Sequence, residues 1–72
     1  MLISKIIRKG VLDKNANIVG KVIDIDIILS PWTINHFIVK SGIIKKLTVS
    51  VQKIEKIGDK VFLNVSREDL EK

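Results

Sequence analysis

The stretch from Val11 to Leu29 constrains the fold of this 72-residue chain more than any other feature. A polar turn at residues 13–17 separates a short apolar run from a long run that is rich in isoleucine and valine. Asn and Asp favour turns because their short side chains bond to nearby backbone and tolerate left-handed conformations. β-branched residues fit pleated strands and lose rotamer freedom in helices. The stretch therefore predicts a β-hairpin, and the same bias along the chain predicts an all-β fold.

The second arm of this hairpin, residues 18–29, is long for one straight strand. Gly20 would permit close backbone approach or a kink within it. Val22 and Ile25 are both expected to point inward, although a regular strand places them on opposite faces. A β-bulge near Ile23-Asp24 would supply the change of phase and bend the strand around a corner.

Further turn signals lie at residues 30–33, 41–42 and 58–60, and Gly58 and Asp59 are predicted turn residues. The strands predicted between the turns cover residues 8–12, 18–29, 34–40, 46–52 and 61–65. In the fourth strand, Leu47, Val49 and Val51 are expected to face inward. Ser66 begins a predicted helical turn, whereas residues 3–7 fit a first strand or a helical turn equally well.

About five or six short antiparallel strands in so small a chain predict a partly open antiparallel barrel, because barrel closure removes most exposed strand edges. We expect a single domain over residues 1–72, with a core at about residues 7–65 and a short helical tail at residues 66–72.

Composition excludes several classes of site. Cysteine is absent and His36 is the one histidine, which excludes disulfide bonds, thiolate metal sites and imidazole-rich cages. No cofactor or metal ion is expected. No signal peptide or transmembrane segment is predicted, so a cytoplasmic protein is the expectation.

The net charge of +5 permits contact with nucleic acid or an acidic partner. The tightest basic groups are only Arg8-Lys9 and Lys45-Lys46, and the lysines are interpreted as a solvated surface scattered among the strands. Three aromatic residues are too few for a base-stacking platform.

Three segments together resemble a known family. The first segment consists of Val11, the turn at residues 13–17, and Val19-Gly20-Lys21-Val22-Ile23-Asp24-Ile25. The second is the apolar strand at residues 32–39. The third is Ile54-Glu55-Lys56-Ile57-Gly58-Asp59-Lys60-Val61. In this order they resemble the PRC-barrel family across residues 7–65, particularly its small stand-alone archaeal members. Asn17 departs from the family pattern, which often has a Gly-containing turn there, and leaves the turn type open.

The resemblance implies a small antiparallel barrel without enzymatic activity. It implies docking roles of the kinds known in the family: a subunit of a membrane complex, a contact to a ribosomal protein, or a link to cell division. No catalytic residue carries over, because the family has no shared catalytic motif.

Several polar residues have a structural and a functional interpretation. In the functional interpretation, Asp24 and Asp26 share a face and bind a cation, with Asp13 approaching across the hairpin. In the structural interpretation, Asp24 bonds to backbone amides at the bulge or pairs with a lysine. His36 has no Ser, Cys or Asp partner at a recognisable spacing, so a strand histidine at the barrel rim is favoured over a ligand or base. Trp32 is either a lid on the barrel end or an interface anchor.

The adjacent pairs Ile6-Ile7, Ile27-Ile28 and Ile43-Ile44 would each place one side chain on each face of a strand. Because one small barrel has one interior, several of these residues are expected to lie outside it, and exposed apolar patches mark association sites. The candidate interface residues are Ile27, Ile28, Leu29, Trp32, Ile43 and Ile44, and the expected assembly is a symmetric homodimer.

Two functions remain open. The first is a non-catalytic adaptor that self-associates and docks on an unidentified protein partner, in a cell-division or membrane-associated complex. The alternative is an RNA- or ribosome-associated factor, which the positive charge supports. An enzyme is not expected, since nucleophile, base and oxyanion donors are not jointly visible.

Overall fold

A computed structural model of the chain describes residues 1–70. The strands are β1 (Gly10–Leu12), β2 (Ile18–Leu29), β3 (Trp32–Ser41), β4 (Lys45–Ser50), β5 (Ile54–Ile57) and β6 (Val61–Leu63). Short helices lie at the two ends, α1 (Ile3–Ile6) and α2 (Arg67–Leu70), and a 3-10 turn, Val51–Lys53, joins β4 to β5. The predicted small, partly open all-β barrel with a C-terminal helical turn is confirmed.

The six strands form one curled sheet in the order β4-β3-β2-β1-β6-β5. Consecutive strands pair antiparallel where they are neighbours, while β1 and β6 pair in parallel, with Val11 opposite Val61. This parallel contact joins the hairpin that opens the chain to the hairpin that closes it. It departs from the wholly antiparallel sheet that was predicted.

A bulge bends β2 at the predicted point. Val22 pairs with Val39 and Asp24 pairs with Ile38, so Ile23 is the extra residue between them. The extra residue shifts the alternation of inward and outward side chains by one position. As a result, Val22 is fully buried and Ile25 also packs against the core. The long strand can therefore line the interior on both sides of its bend.

The core fills the inside of the curled sheet and is almost entirely aliphatic. Its buried apolar residues are Ile6, Val11, Val19, Val22, Phe37, Val39, Leu47, Val49, Val61 and Leu63. The two helices close the ends, since Ile6 of α1 is buried and Leu70 of α2 packs against the cluster.

The structure decides one open alternative and changes two sequence predictions in detail. Residues 3–7 adopt a helical turn, in which the Ile7 amide donates to the Ile3 carbonyl. The strand predicted to run to residue 52 ends at Ser50, because the Ser50 hydroxyl accepts from the Gln52 amide and begins the 3-10 turn. Val51 is consequently exposed instead of facing inward.

The turn predicted at residues 30–33 is shorter than expected, since β2 ends at Leu29 and β3 already begins at Trp32. The Ser66 hydroxyl accepts from the Asp69 amide at the start of α2, as expected for a helix cap. The last two residues of the predicted tail, 71 and 72, lie outside the described part of the chain.

Candidate functional site

The hairpin of β2 and β3 exposes apolar side chains at its far end. Leu29 pairs with Trp32, and Ile27 pairs with Ile34. Paired residues share a face, so these four side chains form one surface, here named the hairpin-tip face. Exposure rises toward the tip, from 41% for Ile27 to 60% for Leu29 and 79% for Trp32. Ile25 continues the same face into the core, so the hairpin-tip face is an uncovered extension of the core side.

Two candidate residues of this hairpin are placed differently from the prediction. Ile28 pairs with Thr33 on the opposite face and does not share a surface with Ile27 and Leu29. Trp32 projects into solvent from the first position of β3, so it does not act as a lid over the barrel end. The other interpretation of Trp32, an interface anchor, stays a prediction.

Ile43 and Ile44 lie in the turn between β3 and β4 and are 88% and 91% exposed. This turn follows the last residue of β3, whereas Trp32 is the first residue of that strand. Gly42 supplies the left-handed conformation that the turn needs, with a φ of 72°. The six candidate interface residues therefore divide between the two ends of β3 and do not form one patch.

One of the three adjacent isoleucine pairs lies in a strand with its side chains on opposite faces, as predicted. Ile6 and Ile7 lie in and after α1, and both contribute to the core. Ile43 and Ile44 occupy a turn and not a strand. Only the pair at residues 27–28 places one side chain on each face of a strand, as assumed.

Asp13 is a buried carboxylate that joins the β1–β2 turn to the C-terminal helix. Its side chain is surrounded by protein, with 2% of the residue exposed. One oxygen accepts from the backbone amides of Asn15 and Asn17, at 2.9 and 2.8 Å. The other accepts from the amide of Arg67 at 2.8 Å and from the Asn17 side chain at 3.3 Å.

The pKa of Asp13 follows from this environment. Burial raises it, since burial disfavours the charged form, but the bonds from the Arg67, Asn17 and Asn15 amides act in the opposite direction. Together with the Asn17 side chain they outweigh burial and hold the pKa below its ordinary value. Asp13 is thus a charged structural residue and not a third ligand beside Asp24 and Asp26.

Asp24 and Asp26 each have a local partner. Asp24 accepts from the Ile25 amide at 2.8 Å, immediately after the bulge. Asp26 lies opposite His36, with 3.3 Å between its carboxylate and Nδ1, and it also accepts from the Asn35 side chain. His36 thus has an Asp partner that its sequence spacing does not reveal, because the contact crosses between two strands.

Gly20 lies where two strands approach closely. A Cβ at this position would be 2.1 Å from the Lys40 carbonyl oxygen, far inside contact distance. Gly58 and Asp59 lie in the β5–β6 turn, where the Gly58 amide donates to the Lys60 carbonyl at 2.9 Å. A Cβ on Gly58 would meet nothing within 4 Å, so this turn has no steric need for glycine.

The structure also aligns lysines that look scattered in the sequence. Lys21 on β2 lies opposite Lys40 on β3, and Lys40 lies opposite Lys46 on β4. All three are exposed and share the outer face of the sheet. The row is not visible in the sequence because the alignment of the lysines depends on strand register, including the bulge at Ile23.

No group of three metal-ligating side chains occurs within residues 1–70. In the same part of the chain, no helix has the length and apolar character needed to span a membrane. No protein-family model matches the sequence, and no curated protein matches it.

Proposed function

We propose that this protein is a non-catalytic adaptor that pairs with a second copy of itself through the hairpin-tip face and docks on another protein. The observation that carries the proposal is the exposure of Leu29 and Trp32 on an extension of the core side. An apolar surface in this position is stabilised by any partner that removes it from water. The expected resemblance to PRC-barrel proteins, which act in docking, supports the same conclusion.

A second copy fits this face for an electrostatic reason. The chain carries a net charge of +5, so two copies repel each other, and the repulsion is smallest when they meet through an uncharged surface. The hairpin-tip face consists of isoleucine, leucine and tryptophan, and a twofold axis would place it against itself without bringing like charges together. Each well-buried apolar side chain contributes roughly 1.5–3 kcal/mol, and symmetry counts every contact twice.

The emission of Trp32 tests the proposal, since Trp32 is the one tryptophan in the chain. In a dimer joined through the hairpin-tip face the indole loses contact with water, and its emission maximum lies at shorter wavelength. We expect dilution from high to low micromolar concentration to shift the maximum toward longer wavelength. A maximum that stays at long wavelength throughout this range would show that Trp32 is never covered by a second copy.

The docking partner is proposed to be a protein in the cytoplasm, within a cell-division or membrane-associated complex. The RNA- or ribosome-associated alternative has one observation in its favour, the row of Lys21, Lys40 and Lys46. Against it, Phe37 is buried and Trp32 lies at the other end of β3 from Lys40, so neither offers a stacking surface beside these lysines.

A further inference from the structure

The row of Lys21, Lys40 and Lys46 continues across the sheet to a fourth lysine. Lys21 pairs with Gly10 on β1, and β6 begins beside β1 immediately after Lys60. The Lys60 ammonium lies over Gly10, 3.4 Å from where a Cβ on that glycine would be. Because neighbouring strands are about 4.8 Å apart, the row brings four ammonium groups to one band on the outer face.

The lysines of this band are not neutralised by direct ion pairs within the described chain. None of Lys21, Lys40, Lys46 and Lys60 forms an ion pair with any of residues 1–70. Like charges placed directly opposite each other on neighbouring strands destabilise a sheet. An anionic ligand at this band would relieve that repulsion, whereas a second copy of the same band would increase it.

The band borders a groove of about 480 Å³. Gly10 and Gly20 contribute backbone to the groove, and the apolar side chains of Leu12, Ile18 and Ile23 line it. Three lysines of the row, at positions 21, 40 and 60, stand around it, and no acidic side chain within residues 1–70 lines it. The volume is within the range of known ligand sites.

These features together favour a ligand with both carboxylates and apolar side chains. Lysines alone would suit a phosphate backbone, but bases need aromatic side chains for stacking, and the groove offers aliphatic ones. Ile18 and Ile23 would accept aliphatic side chains of a peptide while the lysines contact its carboxylates.

We propose that this lysine-bordered groove binds an acidic segment of a partner protein, with apolar side chains seated between its carboxylates. The inference rests on the proposed adaptor function and supplies the chemistry of its protein partner. The groove is formed chiefly by β1 and the first half of β2, whereas the hairpin-tip face lies at the other end of β2. The two surfaces can therefore be occupied at the same time.

A nuclear magnetic resonance titration of the full chain tests the groove. The probe is a short peptide of alternating glutamate and leucine. Two control peptides of the same length alternate glutamate with serine and glutamine with leucine. A short oligouridylate serves as the RNA probe. We expect the first peptide to shift the backbone amide signals of Gly10, Leu12, Ile18 and Lys21, while those of Leu29 and Trp32 on the hairpin-tip face stay in place. The glutamate–serine and glutamine–leucine peptides should bind more weakly than the first, and added salt should weaken its binding.

The double variant Lys21→Gln/Lys40→Gln should weaken binding of the first peptide about fivefold to tenfold, the scale of two exposed ion pairs. Lys5 is an exposed lysine outside the row, so Lys5→Gln should leave the affinity for the first peptide unchanged. These variants remove repulsion or surface charge and leave the core intact, so folding is retained.

Four results would overturn the groove proposal. They are shifts centred outside the groove, equal binding by the serine-containing peptide, tighter binding by the oligouridylate, or no shift with any probe. Trp32 emission under dilution is measured separately, so loss of peptide binding with an intact dilution shift contradicts the groove alone. An absent dilution shift with peptide binding retained contradicts self-association alone.

Discussion

At the scale of single residues, Asp13 holds together parts of the chain that are far apart in sequence. Its carboxylate accepts backbone amides from its own turn and from Arg67, and the Lys14 amide reinforces the junction by donating to the Val65 carbonyl at 3.0 Å. A buried carboxylate with these donors is stable only while it is ionised, because a protonated carboxyl would face amides that need an acceptor.

Acid should therefore destabilise the fold through Asp13. Its pKa in the folded state is below the ordinary value of about 3.9, so the unfolded chain binds the proton more tightly. The stabilisation is complete above about pH 5 and is lost as pH falls through the ordinary value toward the folded-state pKa. Urea denaturation between neutral and strongly acid pH should show the free energy of unfolding decreasing across this window.

Asp13→Asn should lower the melting temperature by several degrees at neutral pH and flatten the acid dependence, because the amide replaces one acceptor oxygen with a donor. Asp59→Asn, at an exposed turn position, is the matched control and should change neither. An Asp13→Asn variant that keeps the full acid dependence of the wild type would show that another carboxylate is responsible.

At the scale of strands, β2 and β3 approach each other closely at Gly20. The nearest atoms to a new Cβ are the carbonyl oxygen and carbon of Lys40, which belong to the backbone and cannot rotate aside. Gly20→Ala should therefore cost about 1–3 kcal/mol or more in the free energy of unfolding, as overpacking does in cores.

Gly58→Ala is the control for Gly20→Ala, since it introduces the same methyl group where no atom lies within 4 Å. Its free energy of unfolding should stay within about 0.5 kcal/mol of the wild type. Chemical denaturation of both variants makes the comparison, and equal stabilities would contradict the close approach.

Strand boundaries were predictable where local chemistry decides them. Residues 18–29 form one strand with a bulge near Asp24, as the run of β-branched residues and its shift of phase indicated. The end of β4 was not predictable from alternation, because the Ser50 side chain competes with the ladder for the Gln52 amide. The parallel pairing of β1 with β6 has no local signal at all.

Contacts that depend on register were the least predictable part of the candidate site. The His36–Asp26 pair requires knowing how β2 and β3 align after the extra residues Ile23 and Asn35. The lysine row depends on the same alignment. The candidate interface residues were recognisable from the sequence as apolar residues in excess of what one core can bury. Composition does not reveal that two of them, Ile43 and Ile44, lie at the opposite end of β3 from the hairpin-tip face.

At the scale of the whole molecule, the core is small, and large apolar side chains are exposed at both ends of β3, at Ile18 and at residues 1–3. Ten buried apolar residues stabilise a chain that has no disulfide bond, and domains of this size are marginal without further support. A second copy on the hairpin-tip face would add buried apolar area where the core side of β2 and β3 is open. The lysine-bordered groove would remain available for a different partner.

Sedimentation equilibrium of the wild type, Leu29→Asp and Ile43→Asp tests self-association through the hairpin-tip face most directly. The two variants introduce the same charge at exposed apolar positions at opposite ends of β3. We predict a wild-type dimer at micromolar concentration and an unchanged dimer for Ile43→Asp. Leu29→Asp should weaken the dimer by roughly a hundredfold or more, because each buried Leu contributes about 1.5–3 kcal/mol and symmetry doubles the loss. A wild-type monomer, or a dimer that Ile43→Asp disrupts and Leu29→Asp does not, would contradict self-association through the hairpin-tip face.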